Sequence, residues 1–133
     1  MSDMVLSSNG GNLDFGNGGY KCTLDMTDKR NKLIVMKALN AATSLKDVAG
    51  TFTINGIVTT PGVRSQSGAA CTNVYLIKTD GSAYFSQSDG IARSVDWLCV
   101  LFTREEIADG IDVCVKSISL DNGRTLKTLE PVI

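Results

Sequence analysis

From Thr51 onward the chain alternates. Phe52, Ile54 and Gly56 interleave with Thr51, Thr53 and Asn55, and Ile57-Val58-Thr59-Thr60 continues in mostly β-branched residues. This is the two-residue period of a strand, which Pro61-Gly62 is expected to stop. A second strand follows at Cys71 to Thr79, centred on Val74, Tyr75, Leu76 and Ile77. Asp80-Gly81 predicts a two-residue primed turn, because that turn needs positive φ and this pair adopts it at little cost. The third strand is then Ser82 to Gln87. At Ser88 the period changes: Ile91, Val95, Leu98 and Phe102 recur at four, three and four residues, the apolar stripe of an amphipathic helix running from about Gly90 to Phe102. Ser88-Asp89 supplies its cap. Trp97, beside the stripe, is expected to plug the core. After a mainly polar linker from Thr103 to Gly110, Ile111, Val113 and Val115 alternate with Asp112, Cys114 and Lys116 in a fourth strand. Asp121-Asn122-Gly123 signals a turn, and the fifth strand covers Thr125 to Glu130 before Pro131.

The first half of the chain is patterned differently. Residues 1 to 19 hold five of the 13 glycines and three asparagines. Such a stretch buries too little apolar surface to offset its ordering entropy, so it is read as a flexible arm with Leu13 and Phe15 as docking points. Ordered folding is expected to begin between Tyr20 and Thr27. Thr27 reads as a helix cap with Asp28 near the positive end of the dipole. Leu33, Ile34, Met36, Ala38 and Leu39 then favour a short amphipathic helix between Lys29 and Ala42 over a strand around Leu33 to Met36. Ser44 to Gly50 reads as a capped turn of helix closed by glycine.

The order after Gly50 is strand, strand, strand, helix, strand, strand. The expected fold class is therefore mainly β: a five-stranded OB-fold barrel with a helix between strands three and four, preceded by an N-terminal helix. Other small five-stranded barrels give the same string. With 133 residues, residues 20–133 suit a single OB-like domain. Ligands of such barrels lie across strands two and three, between the loops that here are residues 61–70 and 121–124.

Composition narrows the chemistry. The sequence has 13 Lys plus Arg against 14 Asp plus Glu, a formal charge of −1, and no His. The missing imidazole removes the usual general base, every Ser-His or Cys-His pair and the commonest zinc nitrogen ligand. No GxSxG, HExxH or P-loop occurs, so the chain is read as a non-enzyme with no cofactor and no metal. Cys22, Cys71, Cys99 and Cys114 form no CxxC pair, which disfavours a zinc knuckle. The chain start lacks a basic n-region and an apolar h-region, and the longest apolar run, Trp97 to Phe102, falls far short of the ~20 residues that cross a bilayer. A cytoplasmic protein with reduced thiols and no membrane partner is expected.

Several segments carry a resemblance. Lys37-Ala38-Leu39-Asn40, Ser44-Leu45-Lys46-Asp47-Val48-Ala49-Gly50, Val74 to Ile77 before Asp80-Gly81-Ser82-Ala83-Tyr84, Ser88-Asp89-Gly90-Ile91-Ala92-Arg93-Ser94-Val95 and Val113-Cys114-Val115-Lys116-Ser117-Ile118 together resemble the small single-stranded DNA-binding proteins of tailed phages, over residues 32 to 130. The loop from Pro61 to Ala70 is less acidic than that pattern, and the linker Thr103 to Gly110 more so. The resemblance implies a compact barrel that coats and protects single-stranded DNA during phage replication in the host cytoplasm. Replication proteins and a second copy of the chain are the other partners considered. The alternative is the same barrel serving as a protein-interaction or assembly module, with the glycine-rich arm mediating assembly.

Single-strand binding needs aromatic faces for stacking and cations along the backbone path. Adjacent Tyr84 and Phe85 point to opposite faces of their strand, and burying Phe85 leaves the Tyr84 hydroxyl wet. Tyr84 is the first stacking candidate, with an ordinary barrel-rim tyrosine as its competing role, and Tyr75 is the second, with core packing beside Ile77 as its competing role. Arg64, Lys116, Arg124 and Lys127 are the candidate phosphate contacts. Arg93 is left as an ordinary helix-surface charge.

Overall fold

The structure, a computed structural model, describes residues 19–46 and 48–133. The predicted arm, with Leu13 and Phe15, therefore lies outside the described residues except for Gly19. The elements in chain order are β1 (Lys21–Cys22), α1 (Lys29–Ala41), β2 (Thr43–Ser44), β3 (Thr51–Val63), β4 (Ala70–Lys78), β5 (Ala83–Ser86), α2 (Asp89–Leu101), α3 (Arg104–Asp109), β6 (Ile111–Ser119) and β7 (Thr125–Pro131). The strands form one mainly antiparallel sheet, curled into a half-barrel, in the order β2-β5-β4-β3-β6-β7, with β1 added beside β3.

β3 is the axis of the sheet. One edge pairs with β4 from Ile54 to Val63, while the other is shared: β6 takes Thr51 to Ile54 and β1 takes Val58 and Thr59. The register with β4 shifts between Ile54 and Gly56, a bulge of the kind that bends a strand and increases its twist. Gly56 is required there, since an added Cβ would lie 2.5 Å from Leu24 Cδ1. Two cores result, one on each face of the sheet. Ile54, Ile57, Val74, Leu76, Val113 and Leu129 pack on the inner face against Ile91, Val95 and Leu98 of α2. On the outer face Val58, Ile77 and Ala83 pack against Val35 and Ala38 of α1, with Cys22. Each fully buried aliphatic side chain contributes about 1.5–3 kcal/mol, so both helices are held mainly by packing.

β7 and β2 end the sheet path, and α2 covers the open edge of β7. Leu129 donates its backbone N–H to Ser94 Oγ at 3.0 Å, and that hydroxyl donates to the Gly90 carbonyl at 3.0 Å. The approach is so close that a Cβ on Gly90 would fall 1.9 Å from the Lys127 carbonyl oxygen. Ser88 caps the helix by accepting from the Ile91 N–H.

Several sequence expectations are corrected. The cap of α1 is Asp28, not Thr27, because the Thr27 hydroxyl and N–H are both given to Asp25 Oδ1. Ser44 to Gly50 contains no helix among its described residues: Thr43 and Ser44 pair in parallel with β5, Leu45 N–H donates to the Phe85 carbonyl, and Leu45 is buried. Pro61 does not stop β3. Beyond Thr59 that strand has no strand partner on its second edge among the described residues, so the missing N–H costs no ladder bond there. The Thr103 to Gly110 linker is helical over α3, closed by a reciprocal Thr103–Glu106 capping box. The described strands number seven, not five, because β1 and β2 add two-residue pairings. Trp97 is no core plug. It stands on the solvent side of α2, 60% exposed.

Asp80-Gly81 turns the chain by a different geometry from the one expected. Gly81 alone has positive φ, its N–H donates to the Lys78 carbonyl, and Lys78 N–H donates to the Ser82 carbonyl. The loop is thus three residues long, a type I turn followed by a left-handed glycine. It sets Tyr75 opposite Phe85 and Leu76 opposite Tyr84.

Candidate nucleic-acid interface

That register decides where each ring goes. Leu76 belongs to the inner core, so Tyr84 turns inward with it: its ring meets Phe52 edge-on at 5.0 Å, and Lys78 Nζ stands 4.3 Å from its centroid. Phe85 is therefore not buried in preference to Tyr84. It lies on the outer face beside Tyr75, the rings tilted by 49° with centroids 5.2 Å apart, within the range of favourable aromatic pairs. Tyr84 and Tyr75, both stacking candidates, occupy opposite faces of the sheet.

A run of side-chain hydrogen bonds lies beside the outer pair. Gln87 Nε2 donates to Asn73 Oδ1 at 2.9 Å and Asn73 Nδ2 donates to Thr60 Oγ1 at 3.1 Å, and the Thr60 side chain neighbours the Tyr75 hydroxyl. Partial burial raises the Tyr75 pKa above the ordinary tyrosine value, so the hydroxyl stays neutral throughout the physiological range. Gly62 makes room for the relay, since a Cβ there would sit 2.3 Å from Asn73 Oδ1. None of Phe85, Asn73 and Gln87 was a sequence candidate.

Next to the rings the half-barrel is open. A cleft of about 230 Å³ lies between β2–β5 and β7, lined by Ser44, Leu45, Lys46, Phe85, Ser86, Gln87, Ser88 and Lys127. Lys127 spans it, its ammonium donating to the Lys46 carbonyl at 3.0 Å. The structure thus brings Lys127 to the Phe85 side of the aromatic pair. It does not gather the remaining cations there. Arg64, at the start of the β3–β4 loop, forms a 2.9 Å ion pair with Asp89 at the N-terminus of α2. Lys116 pairs across the β6–β7 ribbon with Thr128 whereas Lys127 pairs with Ser117, so the two lysines face opposite sides. Arg124 is exposed at the ribbon's turn.

One arginine has a different task. Arg104 directs its guanidinium inward and donates to the carbonyls of Cys22, Thr23 and Leu24 at 3.3, 3.0 and 2.8 Å. It holds β1 and the two residues that follow it in place. The four thiols are free, and burial pushes those of Cys22 and Cys99 up to about 12.

A curled sheet bearing an outward aromatic pair beside a lysine-bridged cleft is suited to holding a flexible chain of stacked rings and phosphates. Residues 17–130 match the family model of the Phage Single-stranded DNA-binding protein. The chain belongs to this family. No curated protein and no solved structure matches it. Among the described residues, no helix is long and apolar enough to cross a membrane.

Proposed function

We propose that this phage single-stranded DNA-binding family member coats and protects single-stranded DNA during phage replication, gripping it across the outer face of β4 and β5. The half-barrel is read as an OB-type barrel in which α2 takes the place of the last strand-to-strand seam. The observation that carries the proposal is the Tyr75–Phe85 pair, partly buried, with Phe85 lining the cleft and the Gln87–Asn73–Thr60 relay beside it. Every base has a π-face, so two fixed rings hold a strand without reading its sequence, each ring contributing ~1–3 kcal/mol. Preorganised rings lose less freedom on binding than loose ones. Lys127 is placed to exchange its hydrogen bond to the Lys46 carbonyl for one to a phosphate, and Arg124 lies further along the same ribbon at its turn, while Lys116 faces the other side. Arg64 contributes only if it leaves Asp89. Tyr84 becomes part of the support under β5. The protein acts by binding alone, as a non-enzyme without cofactor in the host cytoplasm, and replication proteins are its natural neighbours there.

Fluorescence anisotropy with labelled oligo(dT) at about 50 and 200 mM salt tests this. A single strand releases ~0.7 counterion per phosphate contact, so two to four contacts give a log–log slope of about −1.4 to −2.8. Absence of binding at the lower salt would end the proposal, and salt-independent binding would remove the lysines from it.

A further inference from the structure

Two helices present apolar side chains to solvent, and their charges are opposite. On α1, Leu33 and Met36 are 58% and 61% exposed; one turn apart, they share the face away from the sheet. Around them stand Lys29, Arg30, Lys32 and Lys37, and the helix contains no acidic residue. On α2, Trp97, Val100 and Leu101 are 60%, 68% and 67% exposed, at the i, i+3 and i+4 spacing of one face. Asp96 and, one turn before Trp97, Arg93 flank that face, and the next helix, α3, carries exposed Glu105, Glu106 and Asp109 and so leaves the region acidic. Arg104, which would offset them, is turned inward onto the carbonyls of residues 22–24.

We infer that the α2–α3 face of one copy receives α1 of a second copy. Leu33 and Met36 seat against Trp97, Val100 and Leu101, and the basic rim of α1 meets the acidic rim of α2–α3. Trp is the residue type most enriched at interface anchors, and opposed rim charges fix orientation and exclude wrong pairings. The two surfaces are different patches of the same chain, so the contact is head-to-tail, and an assembly that does not close on itself keeps one free surface of each kind at its ends. Repetition without closure gives an open row. Such a row matches coating of a linear strand. Two helix faces make a contact at the small end of the interface range, weak in free solution but effective between neighbours on one strand, where the local concentration reaches about 1 mM.

The test needs no DNA, so its failure leaves the DNA-binding proposal standing. Sedimentation velocity of the full chain is expected to show mass rising with concentration and falling with salt. Trp97 is the single tryptophan of the chain, and its emission should shift to the blue as copies associate. Two variants, Lys32→Glu with Lys37→Glu and Asp96→Lys with Glu105→Lys, should each lose self-association while keeping the wild-type thermal melt. Mixed in equal amounts, they should associate again, because the reversed α1 of one now meets the reversed α2–α3 face of the other. Trp97→Ala should dissociate the assembly at low salt. A wild-type chain that stays monomeric up to about 1 mM overturns the inference. So does association that survives both charge reversals, or a mixture that stays monomeric.

Discussion

Two ring pairs of nearly the same spacing, Phe52–Tyr84 at 5.0 Å and Tyr75–Phe85 at 5.2 Å, sit on opposite faces of the same strands. The inner pair is partly buried against the larger core, with the Lys78 ammonium over the Tyr84 ring. The outer pair touches the smaller core under α1 on one side, while Phe85 lines the open cleft on the other. On the proposed function, equal ring chemistry serves two ends: the inner pair, packed against the larger core, adds stability, and the outer pair, beside the cleft, is the surface on which a base stacks.

The sharpest way to separate the pairs is truncation. Tyr84→Ala should cost about 2–4 kcal/mol of folding stability, read as a fall in urea midpoint, with the affinity of the protein that remains folded little changed. Tyr75→Ala should do the reverse, losing ~1–3 kcal/mol of oligo(dT) affinity at a smaller stability cost. Equal stability losses for the two would abolish the distinction. The thiols extend the contrast to the two cores, since Cys99 lies in the inner cluster and Cys22 in the outer one. Burial keeps both protonated in the folded protein, with pKa about 12 against an ordinary 9.0. Their contribution is complete below pH 9 and is lost as the pH rises towards 12, because the unfolded chain releases protons that the folded chain retains. Stability should fall above pH 9 by at most ~1.4 kcal/mol per pH unit for each thiol, and Cys99→Ala should flatten that fall. The smallest effect expected is at Lys127. Its replacement by Ala should weaken oligo(dT) binding a few-fold and reduce the salt slope by about 0.7; an unchanged slope would take Lys127 off the phosphate path.

Much of this arrangement was legible in the sequence. The alternation after Thr51 and the stripe of Ile91, Val95 and Leu98 located β3 and α2, because burial on one face leaves a period that a single chain displays. The candidate site was harder, and one residue of turn length explains why. A two-residue turn at Asp80-Gly81 would place Tyr84 opposite Ile77, on the same face as Tyr75, and send Phe85 inward. The three-residue loop slips the pairing by one and exchanges Tyr84 for Phe85, since a single step of register moves every side chain of a strand to the other face. Trp97 shows a related limit. It precedes Leu98 by one residue and so lies about 100° away around the helix, far enough to leave the core stripe. Arg104 gave no local signal, because the carbonyls it serves lie some eighty positions earlier in the chain.

That separation also orders events in time. β1 is only two residues long, and its partners are Val58 and Thr59 of β3 and the guanidinium of Arg104. The β3–β4–β5 meander and the β6–β7 hairpin close over short loops and can form early, whereas contacts spanning some eighty residues must wait for the intervening chain to be ordered. The segment around Cys22 is expected to be among the last parts to find its place. Its amides are expected to be among the first to exchange with solvent in the finished protein.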